Sequence, residues 1–578
     1  MLRRLLAIAI LPTFTTTAAA VPPVGFTGRD FAVAAPHPLA AEAGAETLAA
    51  GGNVVDAAVA MSTALSVVRP QSSGIGGGGF MLIHLVGRGT FALDFREIAP
   101  AAARASDYLD AEGKVVPDRS TRGGRSIAVP GHVRGMEAAL DRFGTRSLAE
   151  AFAPAIRLAR EGFPADETHA KATARVAREL AAWTGETAAF AEFRRVHLED
   201  GTPRSIGSIV RNPDLAATLE RIGRDGADRF HRGELAARIL AAIRDSGGTM
   251  TAEDLAGYEV RWRDPLSIPL AGRLGGVSPR TAFSMPPPSS GGPCVLQALA
   301  VLDRLPPPAD AAEETRRRVE ALRHAFADRA AFLGDPDASP GVSDDVARML
   351  SAAHQAALAG RVGAPARTPP SECGLAGAGR AAPDDGGTSH SVAIDAAGNC
   401  AAITDTINLN FGSWIVVPGT GILLNDQMDD FAIRTDVPND FGLLMGERNL
   451  LAGGRRPLSS MSPTIVVEDG KAIASAGAAG GPRIISATVA ILEGMLGNGL
   501  GPAEAIAVPR THHQWMPDRA IVEGDVPEAV REALRAAGHE VRTGDQASSG
   551  AVAAAASLRD GKPSAGADAR GGGGASGR

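Results

Sequence analysis

The sequence predicts a mixed α/β protein, and three observations carry that expectation. Up to about residue 333, several segments repeat Leu, Ile and Ala at intervals of three or four with charge between them, the period of helices buried on one face. After Thr388 the pattern turns to short alternating runs broken by Gly- and Asp-containing turns, the mark of hairpin strands. The 69 glycines and 39 prolines supply the tight turns this needs, and an aromatic fraction of 4% leaves the core to Ala, Leu, Val and Ile. Length alone, at 578 residues, suggests roughly three or four domains. Strands on both sides of Thr388 are nevertheless expected to share one core.

Residues 1–20 have the form of a secretory signal peptide: Arg3 and Arg4, an apolar run from Leu5 to Phe14, then Ala18-Ala19-Ala20 before Val21. The apolar run is too short to span a bilayer, so a periplasmic or secreted protein with no stable membrane span after its removal is expected, with a retained anchor as the alternative. Residues 38–50 read as an Ala-rich helix stopped at Gly51-Gly52, and 54–67 as a second helix bounded by Pro70. From Gly76 to Leu85 a glycine run passes into an apolar strand; no Lys-Ser/Thr follows, so it is not a phosphate loop. Ser147-Leu148-Ala149-Glu150 is a capping box opening a helix to about Gly162. Residues 165–195 and 211–245 are helical, short strands return after Asp264-Pro265, and 313–333 form a charged amphipathic helix.

From about Gly360 to Gly387, Ala, Gly, Pro and Ser dominate without apolar period, as in a mobile surface linker. Two hairpins follow: 388–394 with 401–408 about the turn 396–399, and 463–467 with 471–476 about Asp469-Gly470. Residues 484–496 return to helix. The Arg-Gly-rich end, Arg570 to Arg578, reads as a frayed tail. A formal charge of −7 is mild for this size and gives no general attraction to nucleic acid. Cys294, Cys373 and Cys400 form no metal-ligand pair. Cys400 falls inside a strand as a small buried residue, and a Cys294–Cys373 disulfide stays open for an oxidising compartment.

The chemistry concentrates at Gly386-Gly387-Thr388-Ser389-His390. A hydroxyl is a weak nucleophile at neutral pH, but a threonine with a free amine carries its own base. The α-amine has a reference pKa of about 7.7–8.0, so a useful fraction is neutral near pH 7.5. Cleavage between Gly387 and Thr388 would create that pair, and glycine at 387 removes bulk from the attacked carbonyl.

Beyond Thr388-Ser389-His390 the chain carries Thr404-Asp405-Thr406-Ile407-Asn408, Asn425-Asp426-Gln427-Met428-Asp429-Asp430, Arg456-Pro457-Leu458-Ser459-Ser460, Gly480-Gly481-Pro482-Arg483 and His512-His513-Gln514-Trp515. Upstream are Gly51-Gly52-Asn53, Ser73-Gly74-Ile75-Gly76-Gly77, Leu93-Asp94-Phe95-Arg96-Glu97 and Pro286-Pro287-Pro288-Ser289-Ser290-Gly291-Gly292. In these ordered motifs, spanning roughly residues 33 to 575, the chain resembles the gamma-glutamyltransferase (glutathione hydrolase) family of N-terminal-nucleophile hydrolases.

The resemblance implies a four-layer αββα sandwich shared by two subunits, 21–387 and 388–578, made by self-cleavage and held as a heterodimer. It implies transfer of the γ-glutamyl group of glutathione and related donors to water, an amino acid or a peptide, without metal or other cofactor. Thr388 would be the nucleophile and Thr406 its orienting hydroxyl, with the backbone N–H groups of Gly480 and Gly481 as the oxyanion hole. Arg96, Ser459 and Ser460 would hold the donor's α-carboxylate; Asp430, Asn408 and Gln427 its α-ammonium. Glu97 and Asp429 are expected to be structural neighbours, as are His390, His512 and His513, because an amine base makes a histidine unnecessary. Two departures stand out. Phe441 replaces the tyrosine common in the lid-like segment 438–443, which puts tight lid closure in doubt, and Ser391 replaces a larger residue. The alternatives are a cephalosporin or glutaryl acylase of the same fold, disfavoured because Asp430 would lie unpaired beneath an acyl group without an ammonium, and a secreted binding protein that never matures.

Overall fold

The computed structural model describes residues 22–185, 188–199, 201–369, 372–373, 387–544 and 551–578. The expected signal peptide, and residues 370–371 and 374–386 of the expected linker, lie outside these. Two seven-stranded antiparallel sheets form the centre. One orders β19 (Gly574–Gly577), β2 (Phe31–Ala35), β10 (Gly387–Asp395), β11 (Cys400–Asn408), β3 (Gly78–Leu85), β4 (Gly89–Phe95) and β7 (Arg261–Arg263). The other orders β1 (Val24–Thr27), β18 (Lys562–Ala567), β17 (Val552–Arg559), β13 (Lys471–Ala479), β12 (Thr464–Glu468), β9 (Arg280–Ser284) and β8 (Leu266–Leu270). A small sheet of β14 (Thr511–His512), β15 (Ala520–Val522) and β16 (Val541–Thr543), and the short ladder of β5 (Phe163–Pro164) with β6 (Ile209–Val210), lie outside this centre.

Side chains alternate across a strand, so each central strand serves two layers. On β10 and β11, Ala393, Ala401 and Ile403 pack with the helices Pro38–Ala49 and Val54–Val68. Val392, Ile394, Cys400 and Ala402 point the other way, toward the second sheet. The helices Gly291–Asp303, Ala311–Phe332 and Arg483–Gly497 cover that sheet's outer face. The result is the four-layer αββα sandwich. Strands from before and after Thr388 interleave in both sheets, so the two pieces do share one core.

The sheets approach closely because their facing residues are small. Gly477 on β13 lies against the His390 ring, and a Cβ there would collide with the imidazole. The turn signals hold: the Asp395 carboxylate accepts from Gly398 N–H at 3.0 Å and Asn399 N–H at 2.9 Å. Asp469 and Gly470 both take positive φ, as a tight hairpin turn requires. Ser147 and Glu150 form the expected capping box.

Three expectations are corrected. Arg570 to Arg578 is not frayed: β19 pairs with β2, and the Arg578 carbonyl accepts from the Arg29 and Asp30 N–H groups at 2.8 and 2.6 Å. Within this end Arg570 is buried against Glu523 and Asp568, where paired charge is tolerated. The charged helix, Ala311–Phe332, is buried on nearly all sides, because Arg316, Arg317, Arg318 and Arg323 spend their donors on carbonyls and carboxylates around it. The expected linker is ordered at its start, where Val362 ends a helix, Arg367 N–H donates to Ala537 and Thr368 N–H to Glu320. All three cysteines are free and buried, and burial pushes the Cys294 and Cys400 thiols up to about 12. Among the described residues no helix is long and apolar enough to cross a membrane.

Candidate active site

Thr388 lies at the start of β10, its side chain on the inter-sheet face, opposite Thr406 of β11. The pairing slips between Gly387 and Thr388, so a β-bulge sits at the bond expected to break. The Thr406 hydroxyl lies 3.0 Å from the Thr388 hydroxyl, donates to the Gly387 carbonyl at 2.6 Å and accepts from Asn408 N–H at 2.9 Å. A hydroxyl has one proton to give and two lone pairs. With its proton on Gly387, Thr406 must accept from Thr388, which aims a Thr388 lone pair away from that bond. A side chain at 387 would strike the Asn408 and Leu409 backbone, so glycine is required there by close approach.

Thr388 and Thr406 open onto a cavity of about 320 Å³ that also receives Arg96, Asn408, Gln427, Asp430, Phe441, Ser459, Ser460 and Gly481. Nine of the ten residues expected to catalyse or bind thus converge. Gly480 is one residue behind, beside Ala551, and takes φ +126°, with Gly481 at +55°. Both values favour glycine, and both residues lie just before the helix Arg483–Gly497, whose N-terminal dipole end suits negative charge.

The charged end of the cavity differs from expectation in one respect. Arg96, expected to take a substrate carboxylate, is fully buried and pairs directly with Asp430, the residue expected to take the ammonium. Its remaining donors reach the carbonyls of Pro457 at 3.2 Å and Leu458 at 3.0 Å and the Glu97 carboxylate at 3.3 Å. Gln427 donates to Asp430 at 2.7 Å, and Asn408 donates to the Asp426 carbonyl at 3.1 Å. Asp430 is therefore not unpaired without a substrate cation, which removes the physical objection to a glutaryl donor. Burial pushes Glu97 up to about 7 against the pull of Arg96. Burial, then the charges of Asp440 and Asp430, push Asp429 up to about 7.

The segment 438–443 lies folded over the cavity. The Phe441 ring packs where a Cβ of Gly481 would come within 2.5 Å of it. The segment is held through its backbone: Gln514 donates to the Phe441 and Gly442 carbonyls at 3.3 and 3.2 Å, and Asp440 N–H donates to Asp429 at 3.1 Å. A hydroxyl at position 441 takes no part in these bonds. His390 bonds Thr404 at 2.7 Å, and His512 lies between Ser486 and Gln514. Burial lowers both imidazoles to about 3 and also lowers His513, and none hydrogen-bonds Thr388.

Sequence reasoning missed two residues. Asn449 donates to the Asp430 carbonyl at 2.7 Å and accepts from Leu458 N–H at 3.1 Å, tying the two charge sites together. Arg329 lines the cavity with Thr388, held by Ser290 at 2.8 Å. Nothing in the sequence marks Asn449, or Arg329 among its helix's five buried arginines; the Pro-Ser-Ser-Gly-Gly motif did point to Ser290. Glu320, His324 and Cys373 bring three potential metal ligands together elsewhere. Arg323 and Thr368 already occupy Glu320, and Thr368 occupies His324, so those groups serve packing.

A family model described as gamma-glutamyltranspeptidase matches residues 40–578. The glutathione hydrolase proenzyme of Pseudomonas sp. (strain A14) is 38% identical over 521 residues, which covers 88% of this chain and 86% of the relative. Among solved structures, the cephalosporin acylase of Bacillus halodurans superposes with a TM-score of 0.83 at 26% identity, over 99% of both chains. The gamma-glutamyltranspeptidase of Helicobacter pylori gives a TM-score of 0.52 at 35% identity, over 58% of this chain and 92% of that one. With nearly its whole length matched, this chain belongs to the gamma-glutamyltranspeptidase family.

Proposed function

We propose that this protein is a self-processing gamma-glutamyltransferase, carried by one observation: the Thr406 hydroxyl joins the Thr388 hydroxyl to the carbonyl of the bond to be cut. In the precursor Thr388 Oγ attacks the Gly387 carbonyl while Thr406 donates to its oxygen. The hydroxyl proton passes to the departing amide nitrogen, leaving Gly387 as an ester on Thr388. The shift leaves the Thr388 amine free, and water then hydrolyses the ester to the Gly387 carboxylate and the restored Thr388 hydroxyl. Residues 21–387 and 388–578 then remain together as large and small subunits, because their strands interleave. Removal of residues 1–20 places the enzyme in the periplasm or outside the cell.

In the mature enzyme the new amine accepts the Thr388 hydroxyl proton, and the oxygen attacks the γ-carbonyl of glutathione or a related donor. The Gly480 and Gly481 N–H groups meet the oxyanion; losing one such donor typically costs ~2.7–4 kcal/mol. The leaving amine takes the proton, and water or an acceptor amine releases the glutamyl group. The donor's α-ammonium goes to Asp430 with Gln427 and Asn408, and its α-carboxylate to Arg96, Ser459 and Ser460. Relatives named glutathione hydrolase support glutathione as donor.

The acylase neighbour favours a second reading, since the Arg96–Asp430 pair tolerates a donor without an ammonium. Release of p-nitroaniline from γ-glutamyl and glutaryl anilides, with Thr388→Ala as control, separates them. Preference for the γ-glutamyl compound, lost in the control, is expected; preference for the glutaryl compound moves the protein to the acylases. Activity on neither, with the chain running uncleaved on a gel, leaves a binding protein.

A further inference from the structure

The α-carboxylate and α-ammonium of a γ-glutamyl donor are bonded to one carbon, so the donor can satisfy both only if its two binding groups keep a fixed separation. Arg96 and Asp430 pair through their side chains, but the backbones that carry the site are separate stretches of chain. Asp430 ends the single helical turn Gln427–Asp430, whereas Ser459 and Ser460 follow Leu458. One buried side chain bridges the two. Asn449, only 1% exposed, donates through Nδ2 to the Asp430 carbonyl at 2.7 Å and accepts through Oδ1 from Leu458 N–H at 3.1 Å. A carbonyl oxygen only accepts and an N–H only donates, so these partners fix which way the amide faces. The Leu458 carbonyl accepts in turn from Arg96 at 3.0 Å, and Arg96 pairs with Asp430. Asp430, Asn449, Leu458 and Arg96 thus close a ring.

The main chain around Asn449 stiffens this ring. Ala432 N–H donates to the Asn449 carbonyl at 2.9 Å and Leu451 N–H to the Ala432 carbonyl at 3.0 Å, which lays 449–451 alongside 430–432. Phe431 and Leu451 are buried in the same small apolar cluster. Asn449 itself does not line the cavity, so its effect on a donor runs through the residues at its two ends. We propose that Asn449 is a positioning residue for donor recognition: it sets the spacing between Asp430 on one side and Arg96, Ser459 and Ser460 on the other, and so selects donors with both charges on one carbon. The inference rests on the gamma-glutamyltransferase reading of the site and keeps its assignment of carboxylate and ammonium.

The test uses the mature enzyme, Asn449→Leu and Asn449→Ser, with three p-nitroanilides. The γ-glutamyl compound carries both charges, the glutaryl compound only the carboxylate, and the 4-aminobutyryl compound only the ammonium, each on the same carbon of the chain. KM is read where a compound turns over, and otherwise its inhibition constant against the γ-glutamyl anilide. Asn449→Leu keeps the volume and removes both bonds. It is expected to raise KM for the γ-glutamyl compound about 10-fold, the scale of two lost hydrogen bonds, with kcat within about 3-fold. The singly charged compounds need no fixed spacing and should stay within about 2-fold. Asn449→Ser keeps one hydroxyl able to donate or accept and should recover part of the loss. Equal weakening of all three compounds, an unchanged KM for the γ-glutamyl compound, or failure of both variants to self-cleave assigns Asn449 to the fold alone and overturns the proposal. Wild-type enzyme inactive on the γ-glutamyl anilide would instead defeat the proposed function itself, and this inference with it.

Discussion

Thr406 sits 3.0 Å from Thr388 across the β10–β11 pair, and its single proton is spent on the carbonyl just before Thr388. In the proposed reaction this one hydroxyl would serve self-cleavage first and turnover later. Thr406→Val removes the proton while keeping the shape. We expect subunit appearance, followed on a denaturing gel, to slow by about 10²-fold, as for other oxyanion donors. Thr406→Ser should retain most of the rate, and normal processing in Thr406→Val would refute the role.

The charge pairing at Asp430 gives a second prediction. Asp430→Asn removes the ammonium partner and frees Arg96. KM for the γ-glutamyl anilide should rise, by about 10-fold or more, while the glutaryl anilide is bound as well as before or better. Equal loss on both compounds would show that Asp430 matters only to the fold.

The lid-like segment is tethered by Gln514, not by the side chain at 441. Gln514→Ala should raise KM about 3-fold to 10-fold, since each lost bond is worth ~0.5–1.5 kcal/mol. Phe441→Tyr should change it little. The reverse order of effects would restore importance to the missing hydroxyl.

Glu97 and Asp429 both hold their protons to about pH 7 in the fold, well above their values of 4.5 and 3.8 in an open chain. The folded state thus binds protons that the unfolded chain has released. Their contribution to stability is complete below about pH 4 and is lost as pH rises through about 7. Each group gives a slope of at most about 1.4 kcal/mol per pH unit in that window. Urea midpoints of wild type and Glu97→Gln between pH 4.5 and 8 should differ in slope, with the variant flatter; parallel curves would count against a raised Glu97.

Gly477→Ala places a methyl group into the His390 ring between the sheets. Overpacking of this kind costs roughly 1–3 kcal/mol. A fall in melting temperature is expected, and an unchanged melting temperature would mean that the sheets separate easily.

The sequence by itself determined the elements and named most of the residues that meet at the cavity. Capping residues, turn glycines and the change of period at Thr388 are local signals, and they placed helices and hairpins correctly because each acts within a few residues of itself. The motifs named nine cavity-lining residues through their resemblance to the gamma-glutamyltransferase family. Only the tertiary structure decided which charges meet. Arg96 and Asp430 are 334 positions apart, and whether they bind a substrate or each other depends on packing. The tail at Arg570–Arg578 looked frayed because its composition is that of a loop; its pairing with β2, more than 530 residues away, is invisible locally. Arg329 escaped notice among the arginines of its helix, since packing decides which of them reaches the cavity. Local signals report what a residue can do; burial and long-range pairing decide which of those capacities remains free.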